Sequence, residues 1–99
     1  MATASNREIR RHILRLVAGT PDGEQFSRVL FQQLIDLRWA IIWPEFDRHL
    51  VYLERAGCVD LRFLHAAVDR SRIVRILQRG LEILEGSQAD PGIMPPAEI

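Results

Sequence analysis

The stretch 44–63, PEFDRHLVYLERAGCVDLRF, contains the change of hydrophobic period that decides the fold. In its first half, apolar residues recur at helical spacing, at Phe46, Leu50, Leu53 and Ala56. Pro44 fits the first turn of a helix, where its missing N–H costs nothing, and Gly57 can end that helix. Over 59–63, apolar and polar residues then alternate, as in a half-buried strand. The stretch therefore predicts a helix that turns directly into the first strand of a hairpin.

Two further helices are predicted before this one. Ser5 and Glu8 have the spacing of a capping box, and the apolar residues behind them predict a first helix over 6–18. Residues 20–25 contain Pro-Asp-Gly and are predicted to form a polar turn.

The second helix is predicted to begin after a cap at Ser27 and to end near Arg38. Phe26 and Phe31 are spaced as a hydrophobic staple across that cap. The predicted buried face of this helix consists of Val29, Leu30, Leu34 and Leu37.

The chain returns to a strand pattern over 73–77 and to a helical pattern over 78–85, which Gly86 ends. Three helices, a hairpin and a short fourth helix are the order of a winged helix-turn-helix, a mostly α fold with a small β-hairpin. We expect one winged-helix domain over 6–86, a flexible N-terminus over 1–5 and a disordered tail over 87–99, which holds three prolines.

Composition indicates an ordinary globular domain of 99 residues with a formal net charge of zero. The single Cys58 excludes an internal disulfide, and no signal peptide is recognisable, so we expect a cytoplasmic location. The longest apolar run, 39–43, is too short to span a bilayer, so no membrane partner is expected.

Two groups of residues are candidates for contact with double-stranded DNA. On the third helix, where core positions face inward, the outward candidates are Arg48, His49, Tyr52 and Arg55. On the predicted hairpin, the candidates are Arg62, Arg70, Arg72 and Arg75. The stretch 62–79 also holds Arg79, and Asp69 is its only acidic residue, so little opposing charge is predicted there.

Other features of the sequence oppose a DNA interface. Net charge is zero, whereas DNA-binding domains usually carry a basic excess. Glu45 and Asp47 lie at the start of the third helix, where phosphates or bases would be met. The arginines of this helix could instead pair with neighbouring carboxylates on a solvated face, and those of the hairpin could serve only to prevent edge pairing.

The link between the second and third helices is unusually apolar for a turn. Core packing could account for part of it, or Trp39, Ile42 and Trp43 could form a protein interface. We expect a homodimer, paired either through this link or, preferably, through the first helix and the last helix around Leu81 and Leu84.

Residues 47–59 resemble the third helix and first wing strand of bacterial winged-helix regulators of the arsenic-repressor type. The shared pattern is a pair of leucines three apart, then a small residue, a glycine and an apolar pair that opens a strand. Metal-sensing relatives cluster Cys, His and carboxylate ligands, whereas His12, His49 and His65 are scattered here.

Residues 7–96 resemble short winged-helix proteins of Mu-like prophages. The matching segments are the helix at 9–17, LERAG at 53–57, LQRGL at 77–81 and the Glu85-Gly86 end before a Gly/Pro tail. This resemblance implies the winged-helix fold and a phage origin, without a biochemical role.

These observations give two functional hypotheses. The first is a DNA-binding regulator or accessory factor of phage type, and the second is a protein-interaction module in phage assembly or host takeover. No catalytic constellation, phosphate-binding glycine loop or metal set is recognisable, so we expect neither an enzyme, nor a cofactor, nor a small-molecule ligand.

Overall fold

The computed structural model describes residues 2–63 and 71–96, whose elements follow the order of a winged helix. They are α1 (Ala2–Ala18), β1 (Glu24–Phe26), α2 (Ser27–Asp36), α3 (Trp43–Arg55), β2 (Val59–Phe63), β3 (Arg72–Ile76) and α4 (Gln78–Glu85). The strands form one antiparallel sheet in the order β1-β3-β2. The predicted mostly helical fold with a small hairpin is confirmed.

The stretch that decided the fold has the predicted structure. Pro44 lies in the first turn of α3, and Phe46, Leu50 and Leu53 are completely buried. Gly57 adopts a φ of 77°, which favours glycine, and the backbone N–H of Cys58 donates to the Leu53 carbonyl at 2.9 Å. α3 is thereby joined to β2 through a tight turn.

The sheet has a third strand, β1, where the sequence predicted part of a polar turn. Glu24 lies opposite Arg75 and Phe26 opposite Ile73, so β1 covers the second edge of β3. Three residues are too few to show a period, which is why the strand was not predicted.

The predicted cap and staple of the second helix are wrong. Ser27 is the first residue of α2, and its hydroxyl accepts a hydrogen bond from the Arg72 N–H at 2.9 Å, which ties α2 to β3. Phe26 belongs to β1 and is 46% exposed. α2 ends at Asp36, before the predicted end at Arg38, which itself has a left-handed φ of 69°.

The predicted buried face of α2 is too wide. Leu30 and Leu34 are completely buried, but Val29 and Leu37 are exposed. The predicted capping box of α1 is also wrong, because α1 begins at Ala2 and Ser5 lies inside it. Residues 2–4 include two alanines, the best helix former, and no helix breaker stops the helix at Ser5.

Residues 87–96 pack against the domain, whereas the sequence predicted a disordered tail there. Ile93 is buried in the hydrophobic core, and the Met94 N–H donates to the Arg7 carbonyl of α1 at 3.1 Å. Arg11 donates from Nη1 to the Met94 carbonyl at 3.3 Å. An Asx turn at Asp90, whose carboxylate accepts from the Gly92 N–H, directs Ile93 inward. Two adjacent buried side chains, Ile93 and Met94, show no period and leave no recognisable pattern in the sequence.

We expect Ile93→Ala to lower the free energy of unfolding by about 2 kcal/mol, at the low end for a buried isoleucine because the chain near its end can relax. Urea unfolding of both proteins measures the difference. Gln88→Ala, an exposed change in the same segment, is the control and should stay within about 0.5 kcal/mol of wild type. Equal stability of Ile93→Ala and wild type would contradict the packing of this segment.

Candidate binding surface

Helix α3 has three accessible sides around its buried stripe. Its outer ridge consists of Pro44, Arg48, Val51 and Arg55, which are exposed or half-buried. One flank faces the hairpin of β2 and β3, which is the wing of the fold. On this flank Asp47 forms an ion pair with Arg72, the first residue of β3. The other flank faces the C-terminal segment, where Tyr52 donates a hydrogen bond to Asp90 at 2.5 Å.

Two of the predicted DNA contacts are held against the protein itself. His49 is buried and its Nδ1 accepts a hydrogen bond from Arg10 Nε at 3.2 Å. The Arg10 guanidinium also lies 3.9 Å from the centre of the Tyr52 ring. His49 and Tyr52 therefore join α3 to α1 and the C-terminal segment, and the sequence did not reveal these partners because they lie about forty residues away.

The environment of these two side chains changes their pKa values. Burial, assisted by Arg10 and Arg48, lowers the pKa of His49 to about 4, so this imidazole is neutral at pH 7. The hydrogen bond to Asp90, followed by burial, raises the pKa of Tyr52. Neither group offers a positive charge to a phosphate.

The described wing arginines have carboxylates nearby. Arg62 lies 3.7 Å from Glu24 and 3.8 Å from Asp60, and Arg72 pairs with Asp47. Arg75 is exposed, but its register neighbours across the sheet are Glu24 and Asp60. The predicted shortage of opposing charge is therefore wrong for this region, because β1 and α3 supply carboxylates that are distant in sequence. Arg70 and Asp69 lie outside the described residues.

Arg48 and Arg55 remain exposed on the outer ridge, as predicted for DNA contacts. Arg48 Nε donates to the Pro44 carbonyl at 3.4 Å within the same helix. α3 also carries Glu45, Asp47 and Glu54, so the helix has no excess of positive charge.

The predicted interface residues fall into two unlike groups. Leu81 and Leu84 of α4 are half-buried, and Leu84 packs against the core. Its carbonyl accepts from Arg11 Nη2 at 3.4 Å, so α1 already contacts this helix. In the link, Ile42 is 59% exposed, whereas Trp39 is half-buried with His12 against its ring at 5.3 Å.

Trp43 is the wall between two surface depressions. Its ring packs edge-on against Phe31 at 5.1 Å and also contacts Phe46 at 5.4 Å, which fixes the indole in place. On one side, α2 and Trp43 line a depression of about 640 Å³. On the other side, Trp43 and Pro44 line a second depression of about 530 Å³ together with the wing.

We call this region the Trp43 surface, defined by the apolar residues Val29, Phe31, Trp43, Pro44 and Phe63 and the rim residues Arg28, Asp36, Asp47 and Arg72. Phe63 is 70% exposed, and the Arg72 guanidinium lies 5.2 Å from its ring centre. The alternating pattern of β2 predicted an inward Phe63, but the strand extends past the edge of the core at this residue.

In residues 2–63 and 71–96, no group of three or more His, Cys, Asp or Glu side chains is placed to hold a metal ion. No helix within these ranges combines the length and apolar character needed to cross a bilayer. No protein-family model matches the sequence, and no curated protein is significantly similar to it.

Proposed function

We propose that this winged-helix domain is a protein-interaction module that binds its partner through the Trp43 surface. The observation that carries the proposal is the exposed Phe63 ring beside two adjoining depressions with an aromatic wall. Exposed aromatic side chains beside well-packed pockets are typical anchors of protein interfaces.

The charges around α3 support a protein partner over DNA. Binding to duplex DNA requires arginines or lysines that neutralise phosphates, and each contact adds to the salt dependence. Here Arg62 and Arg72 are close to carboxylates, and His49 and Tyr52 are held inward. Together with the resemblance to prophage proteins, this favours a cytoplasmic role in phage assembly or host takeover.

DNA titration tests the proposal without knowledge of an operator, because non-specific binding to phosphates is independent of sequence. We expect the anisotropy of a fluorescent duplex at about 50 mM salt to show no saturable binding up to about 50 µM protein. A saturating titration whose affinity falls steeply with salt would overturn the proposal. In that case Arg48→Ala with Arg55→Ala should flatten the salt slope, since these are the exposed guanidiniums of the outer ridge.

A further inference from the structure

We infer that the occupant of the Trp43 surface is a second copy of this chain. The inference rests on the proposed function and names its partner. In a two-fold interface, Phe63 of each protomer would enter the depression that Val29 and Trp43 line on the other.

The first argument is shape. A two-fold interface uses the same patch on both protomers, so the patch must carry both a projection and a recess that receives it. Phe63 projects on the wing side of Trp43, with 70% of its surface exposed. The recess of about 640 Å³ lies on the α2 side of the same indole and is large enough for a phenyl ring. Projection and recess are thus adjacent on one face.

The second argument is that both parts are held before binding. Arg72 lies over the Phe63 ring and is itself paired with Asp47 of α3. The recess wall is fixed by the contacts of Trp43 with Phe31 and Phe46. Ordering such groups in advance reduces the entropy lost on association.

The third argument is charge. Arg28 and Asp36 line the recess, whereas Asp47 and Arg72 line the depression beside Phe63. Both signs are present on each side of Trp43, and Asp47 and Arg72 already pair with each other, so the surface carries no net charge that would repel a second copy of itself. A uniformly acidic or basic partner would find no net charge of opposite sign on this surface.

Sedimentation equilibrium of the full chain between about 1 and 200 µM tests the inference, because this range covers dissociation constants in the micromolar region. We expect reversible dimerisation of the 11.4 kDa chain. Phe63→Ser should weaken it about a hundredfold, since each dimer loses two buried rings. Val29→Glu, at the recess, should also abolish dimerisation at these concentrations.

The matched control is Phe26→Ser, which removes another exposed phenylalanine from a strand of the same sheet, outside the Trp43 surface. This variant should dimerise like wild type, and circular dichroism should show that all three variants are folded. A wild-type chain that stays monomeric throughout, or a folded Phe63→Ser variant that dimerises normally, would overturn the inference. A monomeric chain that also fails to bind DNA would leave the proposed protein-interaction function standing with a different partner.

Discussion

Gly80→Ala is expected to lower the free energy of unfolding by about 3 kcal/mol, although alanine is the better helix former by about 1 kcal/mol. Gly80 lies in α4, where a Cβ atom would be 2.6 Å from the Cys58 carbonyl oxygen. That oxygen accepts the Leu77 N–H at 2.9 Å, so its displacement would disturb the junction of β2 with α4. The close approach of backbone to backbone therefore outweighs helix propensity.

Urea unfolding of wild type and Gly80→Ala measures this effect. Gln78→Ala is the matched control, because Gln78 is exposed in the same helix and should stay within about 0.5 kcal/mol of wild type. A Gly80→Ala protein as stable as wild type, or more stable, would show that α4 does not approach β2 this closely.

Acid is expected to destabilise the protein through His49. Its pKa is lowered from the ordinary 6.5 to about 4 in the folded chain. As the pH falls from about 6.5 to about 4, His49 binds a proton in the unfolded chain but not in the folded chain. The free energy of unfolding therefore decreases over this range and levels off below about pH 4. The contribution is about 3 kcal/mol across the whole window, since one pKa unit corresponds to about 1.4 kcal/mol.

The free energy of unfolding, measured by urea at several pH values from about 7.5 to 4, tests this expectation. His49→Gln can still accept from Arg10, and it should flatten the dependence even if it costs stability at pH 7. His12→Gln is the control, because it removes another imidazole whose pKa is lowered by burial and leaves the contribution of His49 to the slope in place. An unchanged slope in His49→Gln would mean that this imidazole is not held neutral.

The spacing of apolar residues predicted those helices and strands that are long enough for the spacing to repeat. α3, the two hairpin strands and α4 were located within one or two residues because their apolar positions repeat over a full element. β1 has only three residues, which is too short for its sequence to show a period, and it is held in the sheet by its pairing with β3. Ile93 and Met94 are likewise one adjacent apolar pair without a period, and the turn at Asp90 directs Ile93 inward.

Prediction of the candidate binding surface was limited by contacts between residues distant in sequence. Helical spacing correctly predicted that Phe46 and Leu50 face the core, but it could not show which residues pack against the flanks of α3. Arg10 and Asp90 hold His49 and Tyr52, while Asp47 pairs with Arg72. The apolar link was predicted to pack in the core or to form an interface, and in the structure its Trp43 separates the two depressions of the Trp43 surface.

Photo-crosslinking from single positions tests most directly whether the Trp43 surface, and not the outer ridge of α3, is the binding surface. A photoreactive phenylalanine analogue would replace Phe63 in one protein and Arg55 in another, each irradiated with duplex DNA present. The account predicts no adduct with DNA from position 55 and, because the only protein present is this chain, an adduct of twice the 11.4 kDa mass from position 63 when the partner is a second copy. Efficient crosslinking of DNA from position 55, with no protein adduct from position 63, would contradict it.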